Sequence, residues 1–174
     1  MTTNKIIGTQ IIDACKAYAP LNNYVEGLFD KSLTYIRGLV LDRDEYSENF
    51  YKHCPLIILD SVSRLDGTTS EYKEYGLGIH VLVVHEDEYF DKPRINDIIV
   101  YEGIDEVEEI NKLIIEAINF CDSLRCYDFA DIDSFAEPLR VVSNHNEYRG
   151  YIRLNITEEN DFCIGNESIN GSCR

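Results

Sequence analysis

The stretch from Tyr75 to Leu124 constrains the fold most, because it joins two different periodicities. Tyr75, Leu77, Ile79, Val81 and Val83 alternate with Gly76, Gly78, His80, Leu82 and Val84. A period of two puts each set on its own face of a β-strand. Both faces are partly apolar, which predicts a central strand covered on one side by helices. The two glycines on the second face predict close packing or a bulge near the strand entrance. Farther along, Val107, Ile110, Ile114, Ala117, Ile118 and Cys121 recur at helical spacing, with Glu108, Glu109, Lys112 and Glu116 on the outer face. This predicts an amphipathic helix over 105–124 that lies across the sheet and closes the core. Asp105 is its expected cap, and Glu106, Glu108 and Glu109 suit the positive end of its dipole.

A chain of 174 residues is most simply one domain, and 44% hydrophobic residues mark a globular rather than a disordered chain. Its expected parts are an N-terminal helical region over 1–52, an α+β core over 53–158 and a polar tail over 159–174. The tail is rich in Gly, Asn and Ser and is expected to order only on a partner. No apolar run approaches membrane-spanning length, and the residues after Met1 lack the apolar core of a signal peptide. Synthesis inside the cell, with no membrane partner, is the expectation.

The 16 Lys and Arg are outnumbered by 32 Asp and Glu, for a net charge of −16. A nucleic-acid binder gathers the opposite excess, so tight binding to DNA or RNA is disfavoured. Solubility is the plain reading of this charge. A surface that stays close to nucleic acid while repelling it is the sharper one.

In chain order, Ile7, Ile11, Cys15 and Tyr18 predict a first helix stopped by Pro20. Asn22-Asn23 reads as a turn, and a second helix is expected over 24–31. Residues 33–41 fit either a helix or a strand. Asp42 to Lys52 reads as a loop or a short helical turn. Pro55 opens a strand from Leu56 to Arg64, followed by a projecting loop over 65–74 and the strand at 75–85. An acidic, aromatic loop with Tyr89 and Phe90 comes next, and Ile98 to Tyr101 is extended. Tyr127 to Phe135 reads as a loop carrying Asp128, Asp131 and Asp133. Leu139 to Ser143 and Tyr151 to Thr157 then make a closing hairpin, with Ile152, Leu154 and Ile156 facing the core and Tyr151, Arg153 and Asn155 facing out.

Chemical signatures are sparse. Cys15, Cys54, Cys121, Cys126, Cys163 and Cys173 form no Cys-x-x-Cys pair and are expected as free thiols. His53 and Cys54 are adjacent, while His80 and His85 fall on opposite faces of one strand. Neither spacing matches a zinc site. Asp128, Asp131 and Asp133 lack the glycine-containing calcium-loop pattern. The sequons at Asn155, Asn166 and Asn170 carry no meaning without export. There is no Gly-x-Ser-x-Gly and no phosphate-cradling glycine loop. Neither a cofactor nor a catalytic centre is expected, although an unfamiliar active site remains an alternative.

The order of elements carries one resemblance. Cys54-Pro-Leu-Ile-Ile-Leu59, Gly78-Ile-His-Val-Leu-Val-Val-His85, the helix at 105–124 and the closing strand Tyr151-Ile-Arg-Leu-Asn-Ile-Thr157 together resemble the tail-terminator and neck-completion proteins of tailed bacteriophages. The resemblance covers about Cys54 to Thr157. It implies a small virion subunit, assembled in the host cytoplasm, that forms a homo-oligomeric ring at the head–tail junction. Its expected partners are copies of itself and other neck or tail proteins, with DNA passing through unbound. Arg64, Asp66, Tyr72, Lys73, Glu86, Tyr89 and Phe90 are the candidate ring contacts. Asp128, Asp131 and Asp133 are the candidate acidic lumen. The competing reading is a cytoplasmic adaptor or small-ligand module of the same fold. The fold class expected either way is α+β: a mainly antiparallel sheet of about four to five strands, packed by a long helix, with N-terminal helices.

Overall fold

Two helices come first, and the Asn22 side chain ties one to the other. α1 (Thr3–Ala17) buries Ile7, Ile11, Ala14 and Cys15 on one face. α2 (Ala19–Phe29) buries Leu21 and Val25. Pro20 falls in the first turn of α2, where a missing N–H costs nothing, so it opens the second helix as well as closing the first. Asn22-Asn23 is not a turn but part of α2. The Asn22 amide donates to the carbonyls of Cys15, Lys16 and Tyr18 at 3.2, 3.0 and 3.0 Å, bracing the passage from α1 into α2. α2 ends at Asp30, in the left-handed conformation at φ 50°, with its N–H donating to the carbonyl of Glu26.

The computed structural model describes residues 3–38, 53–60, 63–64, 72–85, 94–95, 98–99, 103–125, 127–142 and 145–159. The strands are β1 (Thr34–Arg37), β2 (Leu56–Leu59), β3 (Ser63–Arg64), β4 (Tyr72–His85), β5 (Arg94–Ile95), β6 (Ile98–Ile99), β7 (Tyr127–Val142) and β8 (His145–Glu159). Between them lies α3 (Gly103–Phe120), followed by a 3-10 turn at Asp122–Leu124. The fold is α+β. One six-stranded sheet runs in the order β1-β2-β4-β8-β7, with β3 also paired to β4, and β5 and β6 form a separate pair. Only β1 and β2 run parallel in it.

The sheet is larger than the expected four to five strands, for identifiable reasons. The open segment 33–41 contributes β1. The expected strand from Leu56 to Arg64 divides into β2 and β3. Tyr127 to Phe135 is not a loop but the first half of β7, and the closing hairpin is far longer than its apolar residues suggested. Two register shifts, between Phe129 and Asp131 and between Pro138 and Arg140, break the alternation of β7 and hide the strand from a period-two reading.

β4 is the central strand, with β2 and β3 on one side and β8 along its whole length on the other. Its odd-numbered residues face the helices. Leu77, Ile79, Val81 and Val83 join Ile57, Leu59, Ile152, Leu154 and Ile156 in a core closed by α1, α2 and α3. The opposite face holds a smaller apolar cluster of Cys54, Leu56, Ile58 and Leu82. α3 begins two residues before its expected cap, so Asp105 sits in the first turn and acts on the dipole instead. Two glycines let α3 press onto β8. A Cβ on Gly103 would meet the Tyr148 ring at 2.3 Å, and one on Gly150 would meet Asn111 Oδ1 at 2.4 Å. No helix among the described residues is long and apolar enough to cross a membrane.

Candidate functional site

β7 is the edge of the sheet, and most of the candidate chemistry collects around it. Among the described residues its one strand partner is β8. Pro138 has no N–H to give a neighbour, which suits an edge position. The first register shift decides where its acids point. Asp128 pairs with Thr157 and Asp133 with Arg153, and both partners belong to the helix-free side of β8. Five residues apart on an unbroken strand, these two aspartates would face opposite ways; the extra residue puts them on one side. The backbone of Asp131 stands opposite Asn155. The acids are not unopposed there, since Arg153 lies directly across from Asp133.

The other predicted residues divide between the sheet and the undescribed segments. Tyr72 and Lys73 belong to β4 rather than to a loop, because β8 extends to Glu159 and carries the ladder that far. Lys73, Glu158 and Tyr127 form one row across three strands, and Glu74, Thr157 and Asp128 the next. Arg64, on β3, pairs with Tyr75 of β4. Asp66, Glu86, Tyr89 and Phe90 lie outside the described residues, and so do residues 65–71, where a projecting loop was expected.

A groove of about 360 Å³ runs between α3 and β7, lined by Asp105, Glu108, Glu109, Asn111, Lys112, Ser134 and Phe135. Asn111 fixes its floor. It is 2% exposed, and its amide donates to the carbonyl of Phe135 at 3.1 Å. Its Oδ1 is buried above Gly150 without a partner among the described residues. The Phe135 ring is 42% exposed. Lys112 pairs with Glu109 at 2.9 Å, and this hydrogen bond raises its pKa. The acidic field reaches α2: the Tyr24 hydroxyl is pushed up first by desolvation and then by Glu106, Glu109 and Asp105. Sequence reasoning missed this groove because it joins residues from two distant segments. One signal was present, since Asn111 is a polar residue beside the apolar stripe of α3.

The helix-free face carries a polar-aromatic row. His80 is 6% exposed, and its Nε2 lies 3.3 Å from both oxygens of Asp60, where the ring N–H donates to the carboxylate. The Tyr151 ring tilts against His80 at 4.8 Å and against Phe135 at 5.4 Å. Arg149 stands 5.9 Å over Phe135 and pairs with Glu137. Gly78 makes the room, because a Cβ there would meet Asp60 Oδ2 at 2.4 Å and the Tyr151 ring at 3.0 Å. The nearby Cys54 thiol is buried. Burial, with Glu147 second, raises the pKa of Cys54 to about 12. At neutral pH it stays protonated, whereas thiol chemistry needs the thiolate.

Two further features depart from the sequence reading or complete it. Cys15 and Cys54 are free thiols as expected, but Cys121 is disulfide-bonded. Its Sγ therefore accepts at 3.1 Å from the Ser123 hydroxyl. At the other end of α3, Glu106 in the first turn holds His85 at the end of β4, and the His85 ring packs against Phe29 and Tyr148. No group of three or more potential metal ligands occurs among the described residues. No family model matches the chain, and no curated protein matches it in sequence.

Proposed function

We propose that the chain is a non-enzymatic structural subunit that closes with copies of itself into a ring at the head–tail junction of a tailed bacteriophage, around the passage of DNA. The observation that carries this reading is β7, a 16-residue strand paired with β8 on one side and flanked by an acidic groove. A long edge strand invites pairing, and a subunit built for assembly uses such an edge where a lone protein covers it. A ring subunit also needs one side for each neighbour and a third for the bore. The helix-free face supports the third role, because Asp128 and Asp133 there would repel passing phosphates.

Native mass spectrometry of the purified chain, at concentrations well above micromolar, tests the reading. One closed oligomer is expected, with a ring and a central hole in negative-stain images. A population of monomers alone, both by itself and in a lysate of cells producing the other virion proteins, would overturn it.

A further inference from the structure

The two ends of the sheet differ in charge, and the difference suits contact between copies. At the β7 end the groove brings together Asp105, Glu108 and Glu109, offset among its lining residues by Lys112. At the β1 end, α1 and β1 form the opposite flank. Arg37 lies against Gly8 and donates to Thr9 at 2.6 Å, and Lys16 stands 5.5 Å over the Tyr35 ring. Lys31 is exposed at the approach to β1. Lys16 and Lys31 have no carboxylate partner among the described residues, in a chain with 32 acids. Asp13, Glu26 and Asp30 bring this flank close to neutrality, but Glu26 already accepts from Ser32 at 3.0 Å.

We propose that neighbouring copies meet head to tail through these two flanks, the α1–β1 flank of one copy seating on the acidic groove between α3 and β7 of the next. This rests on the ring reading and names its contact. Lys16 and Lys31 face Glu108 and Glu109 of the neighbour, so that opposite charges meet across the contact. The two flanks are different surfaces at opposite ends of the strand order, so the contact is heterologous rather than two-fold, and it makes a ring where the rotation between copies closes. A second copy is favoured over a nucleic acid because the groove is acidic. It is favoured over a pairing of two β7 edges because that would bring two acidic flanks together.

The test is a charge swap. One variant carries Lys16→Glu and Lys31→Glu, the other Glu108→Lys and Glu109→Lys. Lys16, Lys31 and Glu108 are exposed and Glu109 is half-buried, and circular dichroism of both variants is the check that they fold. Each variant alone is expected to associate about a hundredfold more weakly than the parent, because like charges now meet. Mixed in equal amounts, they are expected to restore assembly with alternating masses in native mass spectrometry, since each altered flank then meets its opposite. A parent that assembles while both variants assemble equally well overturns the contact and leaves the ring standing. Loss of assembly without rescue on mixing also overturns the contact. A monomeric parent overturns both.

Discussion

Gly150 of β8 lies so close beneath Asn111 of α3 that a Cβ there would stand 2.4 Å from the amide oxygen and 2.7 Å from Val107 Cγ1. Both neighbours are held, Asn111 by the carbonyl of Phe135 and Val107 by the core. Gly150→Ala should therefore cost about 1–3 kcal/mol in urea unfolding, as overpacking does. Gly27 is the internal control. It lies in α2, and nothing stands within 4 Å of its would-be Cβ. Gly27→Ala should stabilise the fold by about 0.5–1 kcal/mol through helix propensity. Equal effects from the two substitutions would show that the packing of α3 on β8 is misread.

The Glu106–His85 contact ties the first turn of α3 to the end of β4, with the two side chains 14% and 21% exposed. Glu106→Ala removes this partner and one of the acids on the helix dipole. A loss of about 1–3 kcal/mol is expected, with faster amide exchange in residues 103–107 than at the other end of α3. Unchanged stability and exchange would count against the contact.

The free thiols predict a pH dependence at the alkaline side. Burial raises both Cys15 and Cys54 from 9.0 to about 12. Between those values the unfolded chain has lost these protons and the folded chain keeps them, so stability falls as pH rises from about 9 to 12. The Cys15→Ala, Cys54→Ala double variant should show a shallower fall across that window. In the native protein at pH 8, iodoacetamide should leave both thiols unmodified for as long as the chain stays folded. Prompt alkylation would contradict their burial.

The disulfide at Cys121 predicts sensitivity to reductant. With Cys15 and Cys54 free, its partner is Cys126, Cys163 or Cys173. Peptide mapping without reduction should find Cys121 in a linked pair. Reduction should cost about 2–4 kcal/mol, the usual worth of such a link. A free, alkylatable Cys121 in the unreduced, denatured chain would refute the bond.

How much of this was legible depended on whether one element contained its own signal. β4 was readable because its two faces alternate without a break and its neighbours lie on both sides. α3 was readable from its apolar spacing, although its first turn begins before the expected Asp105 cap. β7 was hidden, because Asp128, Asp131 and Asp133 are residues that strands disfavour and two register shifts interrupt its pattern. Asn22 misled for a different reason: an Asn pair reads as a turn, while its amide in fact braces the passage from α1 into α2. The groove could not be read from one segment, since Asn111 and Phe135 meet only after the chain has turned back through the hairpin. The spacing of the cysteines held no sign that Cys121 alone among the described ones is bridged.

The two interruptions in β7 leave Ala130 and Leu139 without a cross-strand partner. These are the spare links of the strand. Removing Ala130 would simply straighten the ladder there, with Phe129 still turned inward and Asp133 still turned out. Removing a residue midway between the two, such as Ser134, would invert a run of side chains and send an acid toward the helices. The strand thus tolerates shortening at its two interruptions and resists it midway between them, and chain length there can vary without reversing the charge of either surface.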